Sequence, residues 1–138
     1  MGAWGPGPFE NDDASDWAWS FEGVDAATGL ALIHSALATT ADAELEAADA
    51  AVAVAAAQVV AWIVAGDPGE ADDGSDAAAW ISDASPTADE ALRNEARGAL
   101  NRVLEGSELA DLRQEADAVD RDAWSRSLDA IAAALGPA

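Results

Sequence analysis

From Ala50 to Ala65 the chain carries no charged side chain, and Gln58 is its only polar one. A run this apolar needs cover on most of its circumference, from lipid or from other parts of the chain. It is shorter than the ~20 residues that cross a bilayer, and it is mostly alanine. Acidic residues precede it closely, which disfavours insertion. The expectation is therefore a central helix buried on most sides, and no association with membrane. Val52-Ala53-Val54 alternates as a strand would, but its alanine-rich surroundings and the lack of flanking turns favour helix.

The segments around this run also read as helices. Asn11 is placed to cap a first helix, with Asp12, Asp13 and Asp16 at the end where the macrodipole favours negative charge. Ala14, Trp17, Ala18 and Phe21 form its buried stripe, Trp19 lies off it, and Gly23 ends it. Asp25 caps a second helix with Leu30, Ile33 and Leu37 facing inward. Thr39 and Thr40 offer a cap for the long third helix, whose first turns would hold Asp42, Glu44, Glu46 and Asp49. Its core face would run through Leu45, Val52, Val59 and Ile63, to a stop at Gly66-Asp67-Pro68-Gly69.

An acidic loop over 66–76 leads to a short helix around Ala77–Ile81, anchored by Trp80. Thr87 and Glu90, after Pro86, match a capping box. The helix that follows would bury Leu92, Ala96, Leu100, Val103 and Leu104, with an Asp89–Arg93 pair at i, i+4. Gly98 in its middle suggests close approach by another helix. Ser107 can cap a short helix carrying Leu109 and Leu112, and the last helix aligns Trp124, Leu128, Ile131 and Leu135 before Gly136-Pro137.

Residues 1–10, rich in Gly and Pro with Trp4 and Phe9 as large groups, can neither continue a helix nor pair in a central strand. The predicted architecture is all-α. One domain fills the 138 residues: an irregular Gly/Pro/Trp arm over 1–10, then a compact bundle of six or seven short helices over 11–138.

Charge restricts the partners. The formal net charge is -21, there is no lysine, and all six basic residues are arginines beyond position 92. Such a surface repels nucleic acid and anionic membrane and attracts basic proteins. Salt adaptation or an alanine-rich, lysine-poor proteome yields the same acidity without any partner. No cysteine and no secretory leader pattern are present, so a soluble cytoplasmic protein is expected. Met1-Gly2 does not make a myristoylation signal, because Pro6 stands where Ser or Thr is needed.

Few residues could carry chemistry. His34 is the only histidine, and Ser35 beside it cannot face it within a regular helix. Asp12, Asp13 and Asp16, or Asp72, Asp73 and Asp76, could hold a hard cation, but neither group has the EF-hand spacing; capping and loop solvation explain them. Gly2, Gly5 and Gly7 follow no strand and precede aspartates that would repel phosphate. The tryptophans, spaced about one per helix, read as core anchors. The expectation is no enzyme, no cofactor and no metal.

The opening Gly2-Ala3-Trp4-Gly5-Pro6-Gly7-Pro8-Phe9-Glu10-Asn11-Asp12-Asp13-Ala14, with Asp16-Trp17, resembles the start of a family of small bacterial proteins known as a domain of unknown function, number 4259. Ala99-Leu100-Asn101-Arg102-Val103-Leu104, Ser107-Glu108-Leu109 and the Trp124 helix are similar to its C-terminal half. The resemblance implies no reaction and no catalytic residues. Gly2, Trp4, Gly5, Gly7, Phe9, Asn11 and Asp12 form its motif. Physically they read as an arm clamped by two rings onto the first helix, with Asn11 fixing the angle at which the chain enters.

Three functional readings remain. The first is a non-catalytic module binding a basic protein, for example an immunity-type protein, with Trp19, Asp67, Glu70, Asp72, Asp73 and Asp76 as the candidate partner surface. The second is a structural or homo-oligomeric protein using Trp19 and the uncharged second half of the third helix. The third is a nucleic-acid mimic, which needs carboxylates in rows on one face. Oligomeric state is not readable from the sequence.

Overall fold

The computed structural model describes residues 12–41, 45–66, 75–107, 109, 111, 115 and 118–136. Six α-helices are described: α1 (Asp12–Trp19), α2 (Ala26–Ala38), α3 (Ala47–Ala65), α4 (Ser75–Ala84), α5 (Glu90–Gly106) and α6 (Ala118–Leu135). A single 3-10 turn, Thr39–Ala41, follows α2. No strand occurs among the described residues, only an isolated parallel bridge between Leu45 and Ser107. The chain is all-α, as its periodicities predict.

The uncharged run forms the centre. Helix α3 packs against every other described helix, and most of its residues from Ala50 to Ile63 are buried. It is long and apolar enough to cross a membrane (mean hydropathy 1.9), yet other helices cover it. Ala50, Ala53, Ala55, Ala56, Ala57 and Ala61 are each 1 % exposed or less. Methyl groups of this size let neighbouring helices approach closely on several sides, where Leu would hold them apart. Gly66 ends the helix in the left-handed region (φ 72°), its N–H donating to the carbonyls of Trp62 and Ile63.

The other helices form a partial ring around α3: α1 touches α4, α4 touches α2, α2 touches α5, and α5 touches α6. Among the described residues, α1 and α4 touch neither α5 nor α6. Larger side chains fill the spaces between. Phe21, Ile33, Leu37, Val103, Leu128, Ile131 and Leu135 are almost fully buried. The line Trp124, Leu128, Ile131, Leu135 predicted for the last helix is buried throughout.

Several local expectations are corrected. Thr39 and Thr40 do not begin α3; their hydroxyls donate back to the carbonyls of Ala36 and Leu37, both at 2.7 Å, and so close α2. Helix α3 starts later, at Ala47, and Glu46 at its N-cap makes no side-chain capping bond. Leu45 is buried ahead of that helix, in the bridge to Ser107.

At α5 the cap is Asp89, which accepts from the Leu92 N–H at 2.8 Å, in place of the Thr87/Glu90 box. That carboxylate therefore serves the backbone, and no Asp89–Arg93 ion pair forms. Leu104, expected on the buried side, is 41 % exposed, while Ala99, not expected there, is buried. Gly98 has open space where a Cβ would stand, so no helix approaches it closely.

Gly29 holds the close approach instead. A Cβ there would fall on Cε2 and Cζ2 of the Trp80 indole. Trp80 reaches this place because its Nε1–H donates to the Asp25 carbonyl at 3.0 Å. Asp25 in turn caps α2, accepting from the Thr28 N–H at 2.7 Å. One tryptophan thus ties α4 to the first turn of α2.

Candidate functional site

Most of the sequence-predicted site residues lie outside the described residues: Gly2, Trp4, Gly5, Gly7, Phe9 and Asn11 of the arm, and Asp67, Glu70, Asp72 and Asp73 of the acidic loop. Of the others, Asp12 is exposed in the first turn of α1, Trp19 ends α1 with 69 % of its surface exposed, and Asp76 stands half-buried in the first turn of α4. The second half of α3, predicted as a candidate self-association surface, lies largely in the core: Val59, Val60, Ala61 and Ile63 are buried. That leaves Trp19 as the exposed aromatic of the homo-oligomer reading.

A cavity of about 330 Å³ opens where the turn between α1 and α2 meets α4. The geometry starts with the aromatic rings beneath it. Phe21 meets Trp17 edge-on, with centroids 5.0 Å apart and planes at 83°, and lies 4.8 Å from Trp80. This packing fixes the turn Ser20–Gly23, which Gly23 completes at φ 72°. Phe21 and Trp80, both buried, form the inner wall, with Val24 and Ala79 beside them.

Three carboxylates stand around this wall: Glu22 from the turn, and Asp76 and Asp83 from the two ends of α4. None of them has a hydrogen-bond or ion-pair partner among the described residues. Asp76 is favourably placed at the positive end of the helix dipole. Asp83 is not, because it adds negative charge to the last turn. The three do not converge: no group of three potential ligands able to hold a metal ion occurs among the described residues. Sequence reasoning singles out Asp76 but passes over Glu22 and Asp83, which stand far apart in the chain and meet only through the Phe21–Trp80 packing.

Charge is segregated on a larger scale. Residues 1–89 carry seventeen of the 27 acidic side chains and no lysine or arginine. The remaining ten acids share residues 90–138 with all six arginines. In space, Arg93, Arg97 and Arg102 lie on α5 and Arg121 and Arg126 on α6, across α3 from α1 and α4. Arg97 donates to the carbonyls of Leu135 and Gly136 at 3.2 and 2.8 Å, neutralising the C-terminal end of α6. His34 Nδ1 and Glu95 Oε1, 3.1 Å apart and both exposed, join α2 to α5 at the surface.

A sequence profile described as Domain of unknown function (DUF4259) matches residues 2–127. The chain belongs to this family. The match takes in the arm motif and all of α1–α5, and runs past Trp124 into α6. No curated protein and no solved structure matches the chain. Membership in DUF4259 brings no reaction and no residue role with it.

Proposed function

We propose that this chain is a non-catalytic protein-binding module that engages a basic protein through the face formed by α1, the α1–α2 turn and α4. The charge segregation across α3 carries this reading. On that face Asp12, Asp13, Asp16, Glu22, Asp76 and Asp83 occur without a single lysine or arginine, whereas α5 and α6 intersperse acids with arginines. A one-signed face concentrates the field on one side of the molecule. It therefore steers and orients a basic partner, where a uniformly acidic surface would only attract it. Exposed Trp19 adds an aromatic anchor of the type enriched at protein interfaces.

Photo-crosslinking from two positions tests the proposal. With the reactive residue introduced at Asp16 on α1, a discrete basic protein is captured, and the yield falls as salt rises. With it at Asp129 on α6, that product is absent. Equal capture from both positions, or recovery of abundant chaperones alone, counts against an acidic docking face.

A further inference from the structure

Helix α4 joins the bundle by apolar packing that its charges oppose. Its docking stripe is short: Ala77, Trp80 and Ile81 are buried and Ala84 is half-buried, at helical spacing. Trp80 is the large group among them. Its indole covers Gly29 of α2, meets Phe21, and donates to the Asp25 carbonyl at 3.0 Å. Docking also brings Asp76 and Asp83 of α4 beside a segment, 12–25, that holds Asp12, Asp13, Asp16, Glu22 and Asp25. Neither side contains a lysine or arginine. Across α3, by contrast, Arg97 of α5 donates to the last carbonyls of α6 and holds those two helices together. The end of α4 is strained as well. Ser85 follows its last turn at φ 49°, a left-handed conformation unfavourable to any residue with a Cβ.

We propose that α4 is a flap governed by ionic strength: it leaves α1 and α2 as a unit, withdrawing Trp80 from Gly29, while the rest of the bundle stays packed on α3. Trp80 sits in the middle of α4. Fraying from either end therefore leaves the indole docked, and the helix departs only when the indole does. Carboxylates on the two sides repel over about 30 Å at 0.01 M salt but only about 10 Å at 0.1 M, so low salt favours the open state and cations the closed one. Closed, this side of the molecule presents its acids. Open, it uncovers Phe21, Gly29 and the part of α3 that α4 touches. The flap holds or fails independently of the basic-protein reading.

Native-state hydrogen exchange of the whole chain in low concentrations of urea, taken relative to intrinsic rates, tests the flap. The amides of 79–82 are expected to exchange with little urea dependence, and those of 55–61 with the full dependence of global unfolding. Leu128→Ala, in the part that stays packed, should speed exchange in α3 and leave α4 unchanged. Lowering salt from about 0.1 to about 0.01 M should speed α4 exchange about threefold. At about 0.1 M, D16N/E22Q removes charge from the side that α4 leaves and should slow it about threefold. D122N/D129N, on α6, should alter it less than about 1.5-fold. Trp80→Phe keeps a ring but loses the hydrogen bond, and should speed it about tenfold. One urea dependence shared by α3 and α4 means that α4 does not open alone, and overturns the flap. Equal effects of the two acid pairs, or α4 exchange indifferent to salt, overturn its control by charge.

Discussion

Trp80 shows how much one side chain organises in this protein. Its ring covers Gly29, packs on Phe21, and hydrogen-bonds the carbonyl of the residue that caps α2. Because that hydrogen bond pins the indole, it cannot move away from a new methyl group. Gly29→Ala is therefore expected to destabilise the chain by about 1–3 kcal/mol through overpacking, despite alanine's higher helix propensity. Urea denaturation measures this, and a stabilised variant would show that the ring is free to shift. Asp25 supports a second prediction. The backbone N–H of Thr28, and then its side chain, hold the Asp25 carboxyl below its ordinary value. A lowered folded pKa means the unfolded state binds its proton first as pH falls. The cap's contribution is thus complete above the ordinary carboxylate range and is lost as pH drops through the folded value. Asp25→Ala should lower the melting temperature by a constant amount from neutral pH down to about pH 5, and by progressively less below about pH 4.

At the scale of elements, the readable parts are those whose partners are close in sequence or whose pattern is long. Trp124, Leu128, Ile131 and Leu135 repeat at helical spacing over three turns, and all four are buried. Leu128→Ala is expected to cost about 2–5 kcal/mol by leaving a cavity against its neighbours. Chemical denaturation checks this; a cost under about 1 kcal/mol would mean that the site collapses around the smaller residue. The misread parts involve choices that local sequence leaves open. Thr39 and Thr40 are chemically suited to begin a helix or to close one, and the chain uses them to close α2. Asp89 and Thr87 are both good caps two residues apart, and the one at the actual first turn prevails. Gly98 and Gly29 look alike in sequence. Only the position of Trp80, 51 residues beyond Gly29, determines which glycine is indispensable. The candidate cavity is hidden for the same reason, since Glu22 and Asp83 become neighbours only when α1, α2 and α4 pack.

Across the whole molecule, self-repulsion outweighs any single charge pair. A net charge of -21 on 138 residues opposes compaction, and α1 and α4 carry acids with no arginine of their own to offset them. Added sodium chloride should raise the melting temperature steadily, because screening weakens repulsion in the folded state more than in the expanded chain. A flat salt dependence would show the charges to be well enough separated already. The arginines on α5 and α6 imply that this gain comes chiefly from the α1–α4 side.

The position of α3 has one last consequence. A helix that touches every other described helix cannot be exposed by the opening of any single neighbour. Backbone amides near Ala55–Ala61 should exchange with deuterium only when the entire bundle comes apart, while those at the outer turns of α1 and α4 exchange through smaller openings. The face proposed to bind a partner, on α1 and α4, is then free to loosen and re-form while the alanine centre stays shut. The slowest amides of α3 would report the global stability of the chain.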